Sequence, residues 1–163
     1  MNIIIKKNLL LYKDYKLKCS IGKSGITNLK KEGDLATPQG VFKLGFLYYR
    51  KDRNKSLKSK LKKIVIKKNM GWCDDSKCKK YNQEIYYPFK YGAEKLYRKD
   101  KIYDILINIK YNHSPIIKGK GSAIFLHLTN KKYKPTEGCV AILKKDFLKI
   151  LPSINRNTKI SIS

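Results

Sequence analysis

The feature that most constrains the fold of this chain is a series of short apolar runs separated by breaks rich in Gly, Pro and Asn. Residues 102–111, IYDILINIKY, and residues 122–128, SAIFLHL, combine apolar, aromatic and β-branched side chains. Such runs are typical of β-strands, because branched and aromatic side chains pack well on a pleated surface. The sequence therefore predicts a mostly β fold.

The same reasoning extends along the chain and leaves room for few helices. Further strands are expected at residues 2–11, 15–21, 41–49, 64–69 and 139–143, with an edge strand at 158–163. Loops are predicted over residues 22–40, 50–63 and 70–84. Residues 91–99 could form one or two helical turns. Residues 144–154 predict a short amphipathic helix that ends at Pro152.

The length of 163 residues fits one domain with a real core, and no repeat or linker divides the chain, so we expect a single domain over residues 1–163. No stretch approaches the ~18 apolar residues of a membrane-spanning helix. The first residues have no signal-peptide pattern, because their apolar runs are short and interrupted by Lys6, Lys7 and Asn8. The sequence is compatible with a cytoplasmic location, with export by another route, and with an N-terminus that has been processed or truncated.

The formal net charge of +26 indicates an attraction to polyanions such as nucleic acid, acidic lipids or anionic wall polymers. Nearly all the basic residues are lysines, as an A/T-biased coding sequence would produce without selection for binding. Dedicated phosphate-binding proteins favour arginine, whose planar side chain binds in a bidentate way. The charge therefore predicts non-specific encounter and no specific nucleic-acid partner.

The four cysteines predict neither a dense disulfide framework nor a metal site. Cys73 and Cys78 are too far apart in sequence for a CxxC redox motif, although a disulfide between them is compatible with an oxidising compartment. A zinc site would need a second close pair or a nearby pair of histidines. We expect no metal and no cofactor.

His127 and Cys139 admit two interpretations. His127 belongs to a buried strand, and Cys139 follows Gly138 at the start of the next strand, so the two side chains could meet. An imidazole beside a thiol stabilises the thiolate, which is the nucleophilic form. Backbone N–H groups around Gly138 could then face a developing oxyanion. Alternatively, His127 is a core histidine and Cys139 a small buried apolar residue.

Several segments in order carry a resemblance to a known family. They are GKSGITNLKKEGDLATPQGVFKL with its TPxGxF pattern, GWCDD, YNQ, YGAEKLYRKDKIYDILINIKYN, GKGSAIFLHL and PTEGCVAI. The chain resembles the L,D-transpeptidase catalytic domain, or YkuD-like family, and within it the small single-domain proteins. The resemblance implies an L,D-transpeptidase-like β-sandwich or partly open barrel.

The resemblance also assigns roles to residues. The nucleophile of the family matches Cys139 and its general base matches His127, with the backbone carbonyl of Leu128 orienting the ring. The family signature has a His before the Gly-Cys pair, where this chain has Glu137. We interpret that anionic residue as a change in what binds beside the leaving or attacking group, while Gly138 supports the oxyanion.

A second group of residues comprises candidates for substrate binding. An aromatic and acidic loop on such a basic chain could contact the amine of an acceptor, or be only a capped surface loop. Ser122 could donate to substrate or merely begin its strand. The candidates are Trp72, Asp74, Asp75, Tyr81, Asn82, Ser122 and Thr136.

The resemblance implies cysteine-dependent acyl transfer on peptidoglycan stem peptides, forming 3→3 cross-links or, with water as acceptor, acting as an L,D-carboxypeptidase. It implies a location in the cell envelope or periplasm. One alternative is a cysteine peptidase or amidase that uses the same pair on another amide. Another is a basic module that binds wall polymer or nucleic acid. The oligomeric state is not predicted.

Overall fold

The structure is a computed structural model that describes residues 1–163, and strands dominate it. The strands are β1 Ile3–Lys6, β2 Leu9–Tyr12, β3 Tyr15–Lys18, β4 Ile26–Thr27, β5 Thr37–Pro38, β6 Gly40–Tyr49, β7 Lys63–Val65, β8 Met70–Cys73, β9 Glu84–Tyr86, β10 Ala93–Lys95, β11 Ile105–Ile109, β12 Phe125–Thr129, β13 Val140–Leu143 and β14 Lys159–Ile162. The helices are α1, Lys144–Ile150, and a 3-10 turn over Leu151–Ser153. None of the helices is long and apolar enough to span a membrane.

Most strands join one large sheet that is nearly closed on itself. Its order is β13-β12-β11-β6-β14-β1-β2-β3, and β7 pairs with β6 outside this path. The chain just after β3 returns to β13, where Ser20 and Ala141 form an antiparallel bridge. The prediction of a mostly β, partly open barrel with few helices is confirmed.

The interior of this sheet holds the main core. Leu126 and Leu128 of β12 point inward together with Val140 and Ile142 of β13. Phe147 of α1 is fully buried in the same cluster, so the helix covers part of the barrel interior. Removal of this apolar surface from water is the main stabilising contribution to such a fold.

The outer face of the same strands is covered by a second, three-stranded sheet of order β10-β8-β9. Trp72 of β8 meets the ring of Phe125 edge to face, with 5.3 Å between ring centroids. Met70 and Leu96 are buried in this second cluster. The small sheet therefore covers the outer face of β12.

Several expectations about local structure are wrong. Residues 2–11 form two paired strands, β1 and β2, and not one strand, and the predicted loop over residues 22–40 contains the short pair β4 and β5. Three further expectations concern pairing between more distant segments. Residues 91–99 contain no helix, because β10 pairs with β8 and opposes Glu94 to Trp72. Residues 70–73 are a fully buried strand and not part of a loop. The C-terminal strand is not at an edge, since β14 lies between β6 and β1 and bonds to both. In each case pairing with a distant segment decides the local conformation.

The Lys-rich excursion over residues 50–63 is also more deeply anchored than a surface loop. The Arg50 guanidinium lies 3.5 Å from the centroid of the Tyr97 ring. Asn54 donates to the backbone carbonyls of Arg50 and Asp104, at 3.2 and 3.1 Å. Leu57 and Leu61 join the main core. The lysines of this segment, together with Asp52 and Ser56, are exposed to solvent.

Candidate active site

His127 and Cys139 lie on the same face of two neighbouring strands. β12 and β13 are parallel, and their register sets His127 opposite Ala141. Cys139 stands two residues before Ala141, so its side chain shares that face, because successive side chains alternate across a strand. This is the outer face, away from the core leucines. Both side chains line one cavity of about 560 Å³, which we call the dyad cavity.

The ring of His127 is oriented by the backbone. Its Nδ1 lies 2.8 Å from the carbonyl oxygen of Leu128. A carbonyl can only accept a hydrogen bond, so Nδ1 carries the proton and Nε2 is left with its lone pair. Tyr103 meets the ring edge to face at 5.1 Å between centroids and restricts its rotation. The imidazole is thus held as the tautomer that a general base needs.

The Cys139 thiol is buried and held between two backbone groups. It donates to the carbonyl of Ala123 at 3.2 Å and accepts from the N–H of Phe125 at 3.3 Å. Burial raises the pKa of Cys139 well above its usual value, and burial lowers the pKa of His127 to about 4. The resting pair is therefore a neutral thiol and a neutral imidazole, and the proton must leave sulfur as the new bond forms.

The backbone before Cys139 has a geometry that requires glycine. Gly138 has a φ of 142°, and a Cβ there would stand 2.9 Å from the carbonyl oxygen of Ala36. Thr136 Oγ1 accepts from the N–H of Gly138 at 3.2 Å and donates to the carbonyl of Cys139 at 2.6 Å. The N–H of Cys139 itself has no partner within the protein. This donor is available to an oxyanion that forms on a carbonyl attacked by sulfur.

The dyad cavity is acidic although the chain is strongly basic. Four of the twelve acidic residues line it, namely Glu32, Asp74, Glu94 and Glu137, and Arg98 and Lys134 are its basic residues. The pKa of Asp74 is raised, first by burial and then by the neighbouring carboxylates. Carboxylates that crowd in this way are stabilised by a cation that enters among them.

Glu32 and Glu94 are the two acidic residues of this cavity that sequence reasoning did not find. Glu94 is the less exposed of the two. It lies on β10 and accepts from the Tyr103 hydroxyl at 2.6 Å, while burial raises its pKa. The guanidinium of Arg98 stands 5.2 Å from the centroid of the Tyr103 ring. The signal available in the sequence was the scarcity of acidic residues, which makes each of them worth testing.

The predicted substrate-binding candidates separate into two sets. Asp74, Ser122 and Thr136 line the dyad cavity, as do Glu137 and Leu128. Ser122 Oγ donates to Glu32 Oε2 at 2.7 Å, so the hydroxyl fastens the loop that carries Glu32.

The other candidates support the site from outside the cavity. Trp72 Nε1 donates to Asn82 Oδ1 at 2.9 Å, and the same oxygen accepts from the N–H of Ala123 at 3.1 Å. The Tyr81 hydroxyl bonds to Glu32, and it accepts from the N–H of Gly121 at 2.9 Å. These side chains fix the segment that leads into β12.

Asp75 has a structural role outside the cavity, since its Oδ2 accepts from the N–H of Gly92 at 3.4 Å, just before β10. Its Oδ1 accepts from the N–H of Lys77 at 2.9 Å and closes a turn after β8. Cys73 and Cys78 are buried free thiols in one small cluster beside this turn, and Cys19 is a free thiol in the main core. His113 stands in an exposed loop outside the cavity.

The comparison with protein families decides where this site belongs. The model of the L,D-transpeptidase catalytic domain family, YkuD, matches residues 3–162 of the chain. The chain belongs to this family. Membership supports an L,D-transpeptidase-type enzyme with cysteine-based catalysis, in a family that acts on peptidoglycan. Searches among curated proteins and among solved structures give no significant match.

Proposed function

We propose that this protein is an L,D-transpeptidase that forms 3→3 cross-links between peptidoglycan stem peptides, with Cys139 as nucleophile and His127 as general base. The observation that carries the proposal is the shared wall of the dyad cavity. A buried thiol and a backbone-oriented imidazole both face it, and an unpaired N–H lies at the nucleophile. These are the three parts that acyl transfer through a thioester requires.

In the first half-reaction Cys139 attacks the carbonyl of the third residue of a tetrapeptide stem. The sulfur–carbon bond forms while the thiol proton moves to Nε2 of His127. The oxyanion that forms accepts a hydrogen bond from the backbone N–H of Cys139. The tetrahedral intermediate then collapses, the carbon–nitrogen bond breaks, and the terminal D-alanine leaves with the proton that His127 gives back.

In the second half-reaction an amine of another stem attacks the thioester. His127 removes a proton from that amine, the new amide forms, and the carbon–sulfur bond breaks. The sulfur then recovers the proton from His127. Water in place of the amine releases a tripeptide, which is L,D-carboxypeptidase activity. The same dyad therefore serves both outcomes, and the choice depends on which acceptor occupies the cavity.

The acidic lining supports an amine as the acceptor. An acceptor amine reaches the cavity as an ammonium, and Asp74, Glu94 and Glu137 offer it carboxylates before it is deprotonated. Glu137 replaces the histidine of the family signature and adds a charge to this group. With stem peptides as substrate, we propose that the protein acts in the cell envelope.

The test is acylation by a carbapenem, whose strained lactam carbonyl resembles the donor amide and which acylates members of this family. Intact-protein mass spectrometry should find one added carbapenem mass, and peptide mapping should assign it to Cys139. Cys139→Ser should lose the adduct, because the hydroxyl has a far higher pKa than a thiol. The matched controls Cys19→Ser, Cys73→Ser and Cys78→Ser should keep it. An adduct on any of those three cysteines, or full labelling of Cys139→Ser, overturns the assignment.

Incubation of the protein with purified disaccharide-tetrapeptides then tests the substrate. A product with a 3→3 cross-link, lost in Cys139→Ser, supports transpeptidation, and release of D-alanine alone supports the carboxypeptidase reaction. If Cys139 is acylated by the carbapenem but neither product forms, the dyad acts on another amide, as a peptidase or amidase would.

A further inference from the structure

The segment that leads into β12 has a strained backbone beside the Cys139 thiol. Ala123 has a φ of 52°, in the left-handed region that residues other than glycine, asparagine and aspartate rarely adopt. The carbonyl of this same residue accepts from the Cys139 thiol at 3.2 Å. A strained conformation persists only where the surrounding structure enforces it, so Ala123 needs a partner that holds it.

Asn82 is that partner. Its Oδ1 accepts from the N–H of Ala123 at 3.1 Å and from Trp72 Nε1 at 2.9 Å. Its Nδ2 donates to the carbonyls of Tyr111 and Asn112, at 3.2 and 2.8 Å. The side-chain amide therefore makes four hydrogen bonds, and the residue is only 6% exposed. These bonds fix the orientation of the amide, and with it the position of the Ala123 N–H.

The loop that carries Asn82 is itself well anchored. The N–H of Asn82 donates to the carbonyl of Cys73 at 2.8 Å, which ties the loop to the end of β8. The neighbouring Tyr81 hydroxyl accepts from the N–H of Gly121 at 2.9 Å. Two consecutive residues of one loop thus hold both ends of the segment 121–123.

The conformation of Ala123 decides where its carbonyl points, because a rotation about φ moves every atom that follows the Cα. The Cys139 sulfur has two backbone partners, the Ala123 carbonyl and the N–H of Phe125 at 3.3 Å. If Ala123 relaxed to a negative φ, its carbonyl would leave the thiol. The sulfur would then keep one of the two partners that orient it.

We propose that Asn82 is a positioning residue for the nucleophile. By holding Ala123 at positive φ, it aims the carbonyl that orients the Cys139 thiol. Asn82 does not line the dyad cavity, so it acts through Ala123 and not on the substrate. The inference rests on the proposed function, in which Cys139 attacks the donor carbonyl. A displacement of a reacting atom by about 1 Å can cost about 10²-fold in rate.

The test is the rate of acylation of Asn82→Gly as a function of carbapenem concentration. Glycine adopts the φ of 56° found at residue 82, so this substitution removes the amide without straining the backbone. The maximal rate should fall by about 10–100-fold, and the half-saturating concentration should change by less than about threefold, because the amide touches no ligand. In Asn82→Gly/Ala123→Gly the maximal rate should recover by about threefold or more, since glycine occupies positive φ without a bond to hold it.

Asn54→Gly is the matched control. Asn54 is a buried asparagine that also donates to two backbone carbonyls, and it lies outside the dyad cavity. Its loss should lower the melting temperature but leave the acylation rate unchanged, with all rates measured below the melting temperature of every variant. If Asn82→Gly does not fold, Ala123→Val tests the other partner and should also lower the maximal rate, because a β-branched residue strongly disfavours positive φ. A wild-type rate in Asn82→Gly, an equal loss in Asn54→Gly, or no recovery in the double variant overturns the proposal.

Alkylation of Cys139 by iodoacetamide separates this inference from the proposed function. A wild type that forms no carbapenem adduct contradicts the proposed function, but alkylation needs neither a general base nor an acceptor and still reports how the thiol is held. Peptide mapping should then show Cys139 alkylated at least about threefold faster in Asn82→Gly than in the wild type or Asn54→Gly, because the thiol is released. Equal alkylation in the three proteins overturns the positioning role.

Discussion

The dyad cavity and the rest of the molecule differ in charge. In the dyad cavity, carboxylates are concentrated around a thiol and an imidazole that already have backbone partners. Outside this cavity lie 36 of the 38 basic residues, since only Arg98 and Lys134 line it (38 − 2). On a chain of net charge +26, lysines by themselves are uninformative. Local departures from that background, in charge or in hydrogen bonding, are what mark a site.

The largest effect is expected when the imidazole of the dyad cavity is removed. His127→Ala should slow acylation by a carbapenem by about 10²–10⁴-fold, the usual contribution of a general base. The rate is measured by rapid-quench sampling followed by intact-protein mass spectrometry. His113→Ala, which changes the other histidine of the chain in an exposed loop, is the matched control and should acylate normally. An equal rate in the two variants would remove His127 from the mechanism.

A smaller effect is expected from the carboxylates that give the dyad cavity its charge. The double variant Asp74→Asn/Glu137→Gln should raise KM for the amine acceptor by about tenfold, because two half-exposed or exposed ion pairs with the ammonium are each worth up to about 1 kcal/mol. Acylation in the absence of acceptor should change little. Glu84→Gln on β9, outside the cavity, is the control. If acylation and acceptor use fall together, the carboxylates act on the dyad and not on the acceptor.

The smallest effect is that of pH on the rate of acylation, and it tests whether His127 is buried in the free enzyme. Because the pKa of His127 is lowered to about 4, its imidazole stays neutral and basic well below the usual histidine range. The kcat/KM for acylation should therefore change by less than about twofold between pH 7 and pH 5 and fall only as pH approaches about 4. A midpoint near 6.5 in the pH profile of single-turnover acylation would show that the imidazole is solvated in the free enzyme.

The placement of His127 and Cys139 on one face could be predicted from the sequence because it depends on two adjacent strands and a short connection. The apolar runs set β12 and β13, and once these are neighbours the alternation of side chains sets His127 and Cys139 on one face. Glu94 could not be found in this way. It reaches the cavity only because β10 pairs with β8, and residues 91–99 read locally as helix-forming.

The same distinction explains the errors in the fold. Met70–Cys73 is too short and too close to Gly and Asp to read as a strand, yet it is buried between two partners, β9 and β10. The residues around Asn82 read as a surface loop, but Asn82 bonds to Trp72, 10 positions away, and to Ala123, 41 positions away. Local pattern predicts elements well where a run is long and apolar, and poorly where distant partners decide.

The central position of β14 has a consequence for how the chain folds. This last strand bonds to β6 on one side and to β1 on the other, in parallel with β1, so Ile3 opposes Ile160. The sheet cannot be completed until residues 159–162 insert between β1 and β6, and Ile3 and Ile160 are 157 positions apart (160 − 3). Contacts of such high sequence separation slow folding. We expect the insertion of β14 to be a late step of folding, with β1 paired only to β2, and β6 only to β7 and β11, until it occurs.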